Sequence, residues 1–558
     1  MRDRPWWRSS VVATLVLLLA YIGLSFTLDP NGFLGTDTGG KVATVKVMSE
    51  RGDFDPDVGY WASAEDPEAR VHGLYYTSVV GGRYVNVTSL PMVLAARPLY
   101  DLGGYRATLL LPMAGAIATA FAARELARRV QPSDDGWAAF WLIGLASPVT
   151  IYALDLWEHS LGLALMAWGA VALFDAVFVK PTWWRGLVAG LAFGVAASMR
   201  TEAFVYVLTS TAICCAALAF SRRRQVGGAL IVGASAVLGF GLAFGANLLL
   251  EVAVLEEQFR GGRASGAASG GLDELSVRAK EGLVTLLSPF PTMDAQGWLA
   301  GACLLVGLVL VARGSARRGG AQVAAMAAVV AGLVLLWRLA DGLGFVPGLV
   351  AATPFAAAGL ALGFEREPAR FTAWLALVPM PLVIAFQFVG GAAPQWAGRY
   401  LLVSGFLLAV VGVAERHQMA RWARTGFVVA SVGVTAFGVL WLGERSHEIA
   451  DAAERLQARP EPVLISPNGF VPREFGASYG DKNWLASGNP DDLRFAVEVV
   501  GEAGRTDFAI VDLDTTSEPR SFPGWVATRS ERVPFISGVD VLVTTYERLE
   551  VRSGPAPR

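Results

Sequence analysis

Few polar side chains in this sequence stand where chemistry can use them, and they fall into three groups. The segment Gly35–Met48 (GTDTGGKVATVKVM) carries Asp37 and Lys41 four residues apart. On a helix running to about Ser49 that spacing puts them on one face or at its edge. Asp37 reads either as a carboxylate placed to take a proton from a hydroxyl or as a plain helix cap, with Thr36 or Asp37 as the capping residue. The second group is Asp155, Glu158 and His159 in DLWEHS (155–160). On a helix they share one face at i, i+3 and i+4. Two carboxylates and an imidazole can hold a divalent cation or orient a substrate, and equally can form a polar turn between two helices. The third group is three arginines, Arg200, Arg338 and Arg399, the last followed by Tyr400. A guanidinium fork binds two phosphate oxygens at once. The bland alternative is anchoring at a membrane surface, which Trp337, Trp396 and Tyr400 would also serve.

The elements that must carry these residues are membrane helices. The 558 residues are 54% hydrophobic and only 17% charged, with a mean hydropathy of +0.46. A soluble domain holds about 25% charged residues. Thirteen apolar stretches predict spans near 10–28, 106–123, 137–153, 160–179, 186–199, 203–220, 226–250, 297–312, 321–338, 347–363, 371–389, 400–414 and 425–442. Alternating the sides of the turns puts 19 Lys and Arg residues on one side and seven on the other, so the richer side is cytoplasmic. The N-terminus is then inside and the C-terminus outside. The first span, Val11–Phe26, follows arginines but no A-x-A site follows it, so it is expected to stay as an anchor. Arg200, Arg338, Arg399 and Asp37 all fall on the outer side.

Three segments leave the bilayer: 29–105, 252–296 and the tail. The tail alternates strand-like runs at 462–466, 508–512 and 539–545 with helical patterns at 447–457 and 491–503, an α/β pattern. The division expected is a membrane catalytic domain, 1–445, and a small soluble α/β domain outside the membrane, 446–558.

Other readings are excluded. A net charge of −2 offers no field for nucleic acid. Cys214, Cys215 and Cys303 sit in apolar runs and read as buried hydrophobes. Asp53–Asp57 begins like a calcium loop, but Val58 and Ala64 stand where such a loop needs Gly and Glu. Asn86-Val-Thr88 is a glycosylation sequon by pattern alone.

The arrangement resembles the GT-C superfamily of polytopic membrane glycosyltransferases, in the branch of the protein O-mannosyltransferases and the aminoarabinose transferase. The resemblance rests on Asp37 just beyond the first span and on YVNVTSLPMVLAARPLY (84–100), similar to juxtamembrane helices. It rests also on GYRATLLLP (104–112), Tyr152–His159 and WAGRYLL (396–402). It covers about 1–445. The chain has Asp37-Thr38 where many relatives have Asp-Glu, and Val403-Ser404 where a proline usually follows Arg-Tyr, so the sugar stays open. The resemblance implies a sugar donor on a polyprenyl phosphate and a glycan, lipid or protein acceptor. Transfer would take place on the extracytoplasmic face of the plasma (inner) membrane. Asp37 would be the general base of an inverting transfer. Arg399, with Arg200, Arg338 and Tyr400, would face the lipid phosphate. Lys41, Asp155, Glu158 and His159 would position the acceptor or hold a divalent cation (Mg or Mn) together with Asp37. No nucleotide is implied. The rival readings are a transporter or lipid flippase, and a non-catalytic cell-envelope scaffold. Charges gathered at one face rather than at mid-bilayer count against the transporter.

Overall fold

The computed structural model describes residues 9–86, 89–220, 225–259, 272–287, 295–314, 319–340, 347–386, 396–516, 518–536 and 539–549. The chain forms two compact units. One comprises Met1–Ser25, Leu109–Ala253 and Gln258–Leu440; the other comprises Phe26–Thr108, Val254–Glu257 and Trp441–Arg558.

The first unit is helical. Six described helices are long and apolar enough to cross a membrane: Leu110–Val130, His159–Phe178, Val226–Leu255, Glu367–Phe386, Arg399–Gln418 and Arg421–Gln457. This is the body of a membrane protein. Shorter apolar helices occupy Ser10–Ser25, Ala203–Ala219, Leu299–Arg313 and Gln322–Val334. The segment expected as one span at 137–153 is two helices, Trp137–Leu145 and Pro148–Tyr152. Ser147 makes the break: its Oγ accepts from the Val149 N–H at 3.2 Å, with Pro148 in the first turn. Helices approach closely through small residues. A Cβ on Gly359 would lie 1.9 Å from the Leu408 carbonyl oxygen, and one on Gly412 would lie 2.3 Å from that of Phe355.

The second unit contains a two-stranded hairpin, β1 (Thr77–Val80) and β2 (Arg83–Asn86), and a five-stranded sheet. The sheet strands are β3 (Val463–Ser466), β4 (Asn483–Ala486), β5 (Asp507–Asp512), β6 (Trp525–Ile536) and β7 (Val539–Arg548), in the order β4-β3-β5-β7-β6. β3 pairs parallel with β4 and β5, whereas β5–β7 and β7–β6 are antiparallel. The tail holds both strands and helices, and two of the strands, β4 and β6, are not announced by the apolar pattern. The period of two divides β3 between two cores. Val463 and Ile465 join Phe508, Ile510 and the helix Pro490–Glu502. Leu464 joins Ala509, Val511, Val541, Val543 and the turn of helix carrying Ile449, Ala452 and Leu456. The helix Pro490–Glu502 starts where Asn489 accepts from the Asp491 and Asp492 N–H groups, and Leu493, Ala496, Val497 and Val500 form its buried stripe.

The domain boundary differs from the expected one. β4 is an edge strand, and unpaired edges need cover. The first loop supplies it: the Ala486 N–H donates to the Val71 carbonyl at 3.0 Å, His72 bridges Leu485, and Trp61 Nε1 donates to the Trp484 carbonyl at 3.2 Å. Val71 and Ala62 also enter the core under the sheet. Residues 29–105 therefore belong with the tail rather than in a 1–445 domain.

His72 makes this joint sensitive to acid. The Leu74 N–H donates to Nδ1 at 3.0 Å, which leaves Nε2 to donate to the Gly59 carbonyl at 3.0 Å. Both nitrogens are satisfied only in the neutral ring. Burial pushes this imidazole down from the ordinary 6.5 to about 4. The unfolded chain therefore binds the proton first, so stability from this group is full above pH 6.5 and falls as pH drops toward 4. The loss expected is about 3 kcal/mol. Thermal unfolding of the purified chain at pH 7 and pH 4.5 should show it, and His72→Gln should flatten the difference.

Candidate functional site

In the loop-and-tail unit the site is built on the helix Thr36–Arg51. Its cap is Gly35, with extended backbone and no side-chain cap bond. The capping role considered for Thr36 or Asp37 is therefore not taken up. Asp37 stands in the first turn, with 37% of its side chain exposed, where the helix dipole favours a negative charge. Its Oδ1 lies 3.3 Å from Nη2 of Arg473, whose side chain is 1% exposed. The same Nη2 donates to Asn86 Oδ1 at 3.4 Å. Lys41 is buried, and its Nζ donates to the backbone carbonyl of Asp37 at 3.3 Å. Lys41 thus braces the turn that carries the carboxylate.

Behind this pair, Arg445 Nη2 meets Glu474 Oε1 at 2.6 Å, and Arg445 Nε donates to the Phe33 carbonyl at 3.0 Å. Burial pushes the Glu474 carboxyl above the usual carboxylate range; Arg445 and then Arg473 oppose the rise and Asp37 adds to it. Glycine in mid-helix is ordinarily unfavourable by about 1 kcal/mol. Here Gly39 and Gly40 admit the segment Val471–Ser478 against the helix. A Cβ on Gly39 would sit 1.7 Å from the Arg473 carbonyl oxygen, and one on Gly40 would sit 2.4 Å from Asn86 Oδ1. The backbone of 473 cannot yield as a side-chain tip would. Gly39→Ala is expected to lower stability by on the order of 3 kcal/mol, read as a fall in the thermal midpoint, and to reduce any activity that depends on Asp37.

Arg473, Glu474, Arg445 and Asn86 escaped the sequence reading. Asn86 had shown only as a sequon, yet it is fully buried and its Nδ2 donates to the Leu74 and Tyr75 carbonyls and to Thr77. The acidic run at Asp53–Asp57 is a chain of side-chain-capped turns: Asp53 accepts from Asp55 N–H, Asp55 from Asp57 N–H, and Asp57 from Gly59 N–H.

The helical unit holds the second cluster. Asp155, Glu158 and His159 do not share a helical face, because the helix begins only at His159 and 153–158 is a turn. The turn is buried: Asp155, Trp157, Glu158 and His159 are each at most 6% exposed. His159 stacks on Tyr152 at 4.7 Å and meets the edge of Trp157 at 4.4 Å. Among the described residues no group of three or more His, Cys, Asp or Glu is close enough to hold a metal ion. Asp155, Glu158 and His159 are not among such a group.

Arg200 ends the helix Trp183–Met199 in extended conformation. Its Nε donates to Glu202 Oε1 at 2.8 Å and its Nη1 lies 3.8 Å from Glu158 Oε1. All three side chains are less than a tenth exposed. Its Nη2 is buried with no hydrogen-bond partner among the described residues. Its stem packs over Gly162, where a Cβ would lie 2.8 Å from Arg200 Cγ. Arg399 opens a single 3-10 turn, Arg399–Leu401, after two left-handed residues, Ala397 (φ 59°) and Gly398 (φ 64°). Left-handed backbone is strained for Ala, and such strain gathers at functional turns. The turn is tied down by Ala397 N–H to the Pro347 carbonyl (2.9 Å) and by Tyr152 Oη to the Trp396 carbonyl (2.7 Å). It carries the partly exposed Arg399 guanidinium to 5.1 Å from the Trp157 ring and 4.7 Å from the Tyr400 ring; Arg200 lies 5.0 Å from the same Tyr400 ring.

The structure thus gathers Arg200, Arg399, Tyr400, Glu158 and His159 in one unit, and Asp37 with Lys41 in the other. Arg338 belongs to the helix Gly319–Ala340, not to a turn; its side chain lies outside the described residues. Glu202, two residues from Arg200, is the acidic partner that a sequence reading for phosphate passes over.

No family model matches this chain, and no curated protein matches it. Solved structures are similar to it. ArnT from Cupriavidus metallidurans bound to undecaprenyl phosphate aligns over 98% of this chain and 100% of its own, at 12% identity and a TM-score of 0.47. The archaeal oligosaccharyltransferase AglB from Archaeoglobus fulgidus, in complex with an inhibitory peptide and a dolichol-phosphate, aligns over 91% of this chain and 70% of its own, at 12% identity and TM-score 0.45. The arabinofuranosyltransferase AftD from Mycobacteria aligns over 96% of this chain and 41% of its own, at 14% identity and TM-score 0.41.

Proposed function

We propose that this protein is a membrane glycosyltransferase. It moves a sugar from a polyprenyl-phosphate donor to a hydroxyl of a cell-envelope glycan, lipid or protein, on the extracytoplasmic face of the plasma membrane. The observation that carries the reading is Asp37: a carboxylate on a rigid helix, fixed by buried Arg473 and a Lys41-braced turn, yet open to solvent on one side. A general base needs both position and access.

In this reading Asp37 takes the proton of the acceptor hydroxyl as its oxygen bonds to the anomeric carbon. The bond from that carbon to the phosphate oxygen breaks on the opposite face, so the configuration inverts. The lipid phosphate leaves with the electron pair. A fixed cation beside a developing anion in a water-poor site stabilises the transition state. Arg399, partly exposed beside the Trp157 and Tyr400 rings, takes this role. Arg200 already pairs with Glu202, and its remaining Nη2 is the donor left to a phosphate oxygen. Glu158 and His159 hold Arg200 and Trp157 in place. The test is transfer from a synthetic polyprenyl-phospho-sugar in proteoliposomes, with the anomeric configuration of the product read by NMR. Uptake or flipping of the lipid with no new glycosidic bond would favour the transporter reading.

A further inference from the structure

Three aromatic rings gather at the surface of the loop-and-tail unit, beside the side chain that holds Asp37. Tyr75 and Tyr76 have ring centroids 4.3 Å apart, and Phe470 lies 5.6 Å from the first and 5.9 Å from the second. Tyr76 is 45% exposed and Phe470 44%. Tyr76 also sits at φ +69°, a strained backbone for a bulky residue and a mark of functional positions. The chain beneath the rings is cleared for them. A Cβ on Gly469 would come 2.5 Å from the Tyr75 ring, and one on Gly488 would come 3.0 Å from its hydroxyl. The platform continues into the candidate site through one residue: the Arg473 guanidinium is 5.8 Å from the Tyr76 ring and 3.3 Å from Asp37.

A strained, exposed aromatic facet, linked through the buried Arg473 guanidinium to a partly exposed carboxylate, suits a ligand with an apolar face and a polar rim. A sugar ring has that character: C–H groups on its face and hydroxyls around its edge. An acyl chain would place methylenes against charged groups. We propose that Tyr75, Tyr76 and Phe470 form the subsite for a carbohydrate acceptor. The sugar ring stacks on them with a hydroxyl directed toward Asp37. This rests on the transferase reading and narrows its acceptor to a glycan.

The test is saturation-transfer-difference NMR on the full-length protein in nanodiscs, irradiating aromatic protons. The probes are soluble arabino-, manno-, galacto- and gluco-oligosaccharides. Tyr76→Gly suits the positive φ while removing the ring; it is combined with Phe470→Ser. At least one probe should receive saturation from the wild type, and its affinity should fall roughly tenfold in the double variant. Asp37→Asn should keep that binding. Sugar binding that ignores both rings, or saturation reaching only lipid acyl protons, would overturn the proposal. Ring-dependent sugar binding without transfer from any lipid-phosphate donor would uphold the platform and sink the transferase reading. Transfer with an unchanged acceptor KM in the double variant would do the reverse.

Discussion

Asp37→Asn should leave a folded protein with little or no transfer activity. Removing a general base commonly costs about 10²–10⁴-fold in rate. Asn is close to isosteric, so the helix Thr36–Arg51 keeps its shape, but Arg473 is only 1% exposed and loses an anionic neighbour. A moderate fall in the thermal midpoint is therefore expected alongside the loss of rate. Asn86 Oδ1 remains as an acceptor for Arg473, which limits the damage. The decisive quantity is the initial rate of the well-folded variant in proteoliposomes with a polyprenyl-phospho-sugar. Full activity there would refute Asp37 as the base. Asp37→Glu separates the roles: it restores the charge to Arg473 and with it the stability, but displaces the oxygen, so the rate should stay low.

Arg399→Ala should lower the transfer rate by about 10²–10³-fold, the usual effect of removing one preorganised donor at a developing oxyanion. Arg399→Lys should recover only part of it, since an ammonium keeps the charge but not the planar stacking on Trp157 and Tyr400. Stability should change little, because Arg399 is partly exposed. Arg200→Ala should differ in kind. It leaves the buried carboxylates of Glu202 and Glu158 without their cation, and breaking a buried pair costs about 3–5 kcal/mol. A loss of rate without a loss of stability at Arg399, and of both at Arg200, is the pattern expected. Equal stability effects at the two positions would contradict the assignment of Arg399 as the contact to phosphate.

Local regularities carried the sequence reading, and they reached a definite distance. Apolar runs placed the helices, and a period of two marked β3, β5 and β7. β6 escapes an apolar pattern because Trp525–Ile536 holds mostly exposed and half-buried positions, and β4, Asn483–Ala486, is buried but only four residues long. Asp155, Glu158 and His159 were aligned on a helical face by spacing, but the chain turns at 153–158, so that face does not exist. The domain boundary was missed for a related reason. Nothing in residues 61–72 announces that they cover the edge of a strand more than 400 residues later.

The sequence by itself determined the membrane body, the α/β tail and the short roster of charged residues outside the apolar runs. Composition and periodicity report what each segment must bury, and burial is a local demand. The tertiary structure decided which charges meet. Asp37 meets Arg473, and the Lys41 ammonium reaches the backbone carbonyl of Asp37. Arg200 is held by Glu202 and Glu158, and the Arg399 guanidinium lies near the Trp157 and Tyr400 rings. Asp37 with Arg473, Arg200 with Glu158 and Arg399 with Trp157 are pairings of residues far apart in the chain. They go with close approach at two glycines, the Arg473 backbone at Gly39 and the Arg200 side chain at Gly162, which becomes apparent only when the chain is folded.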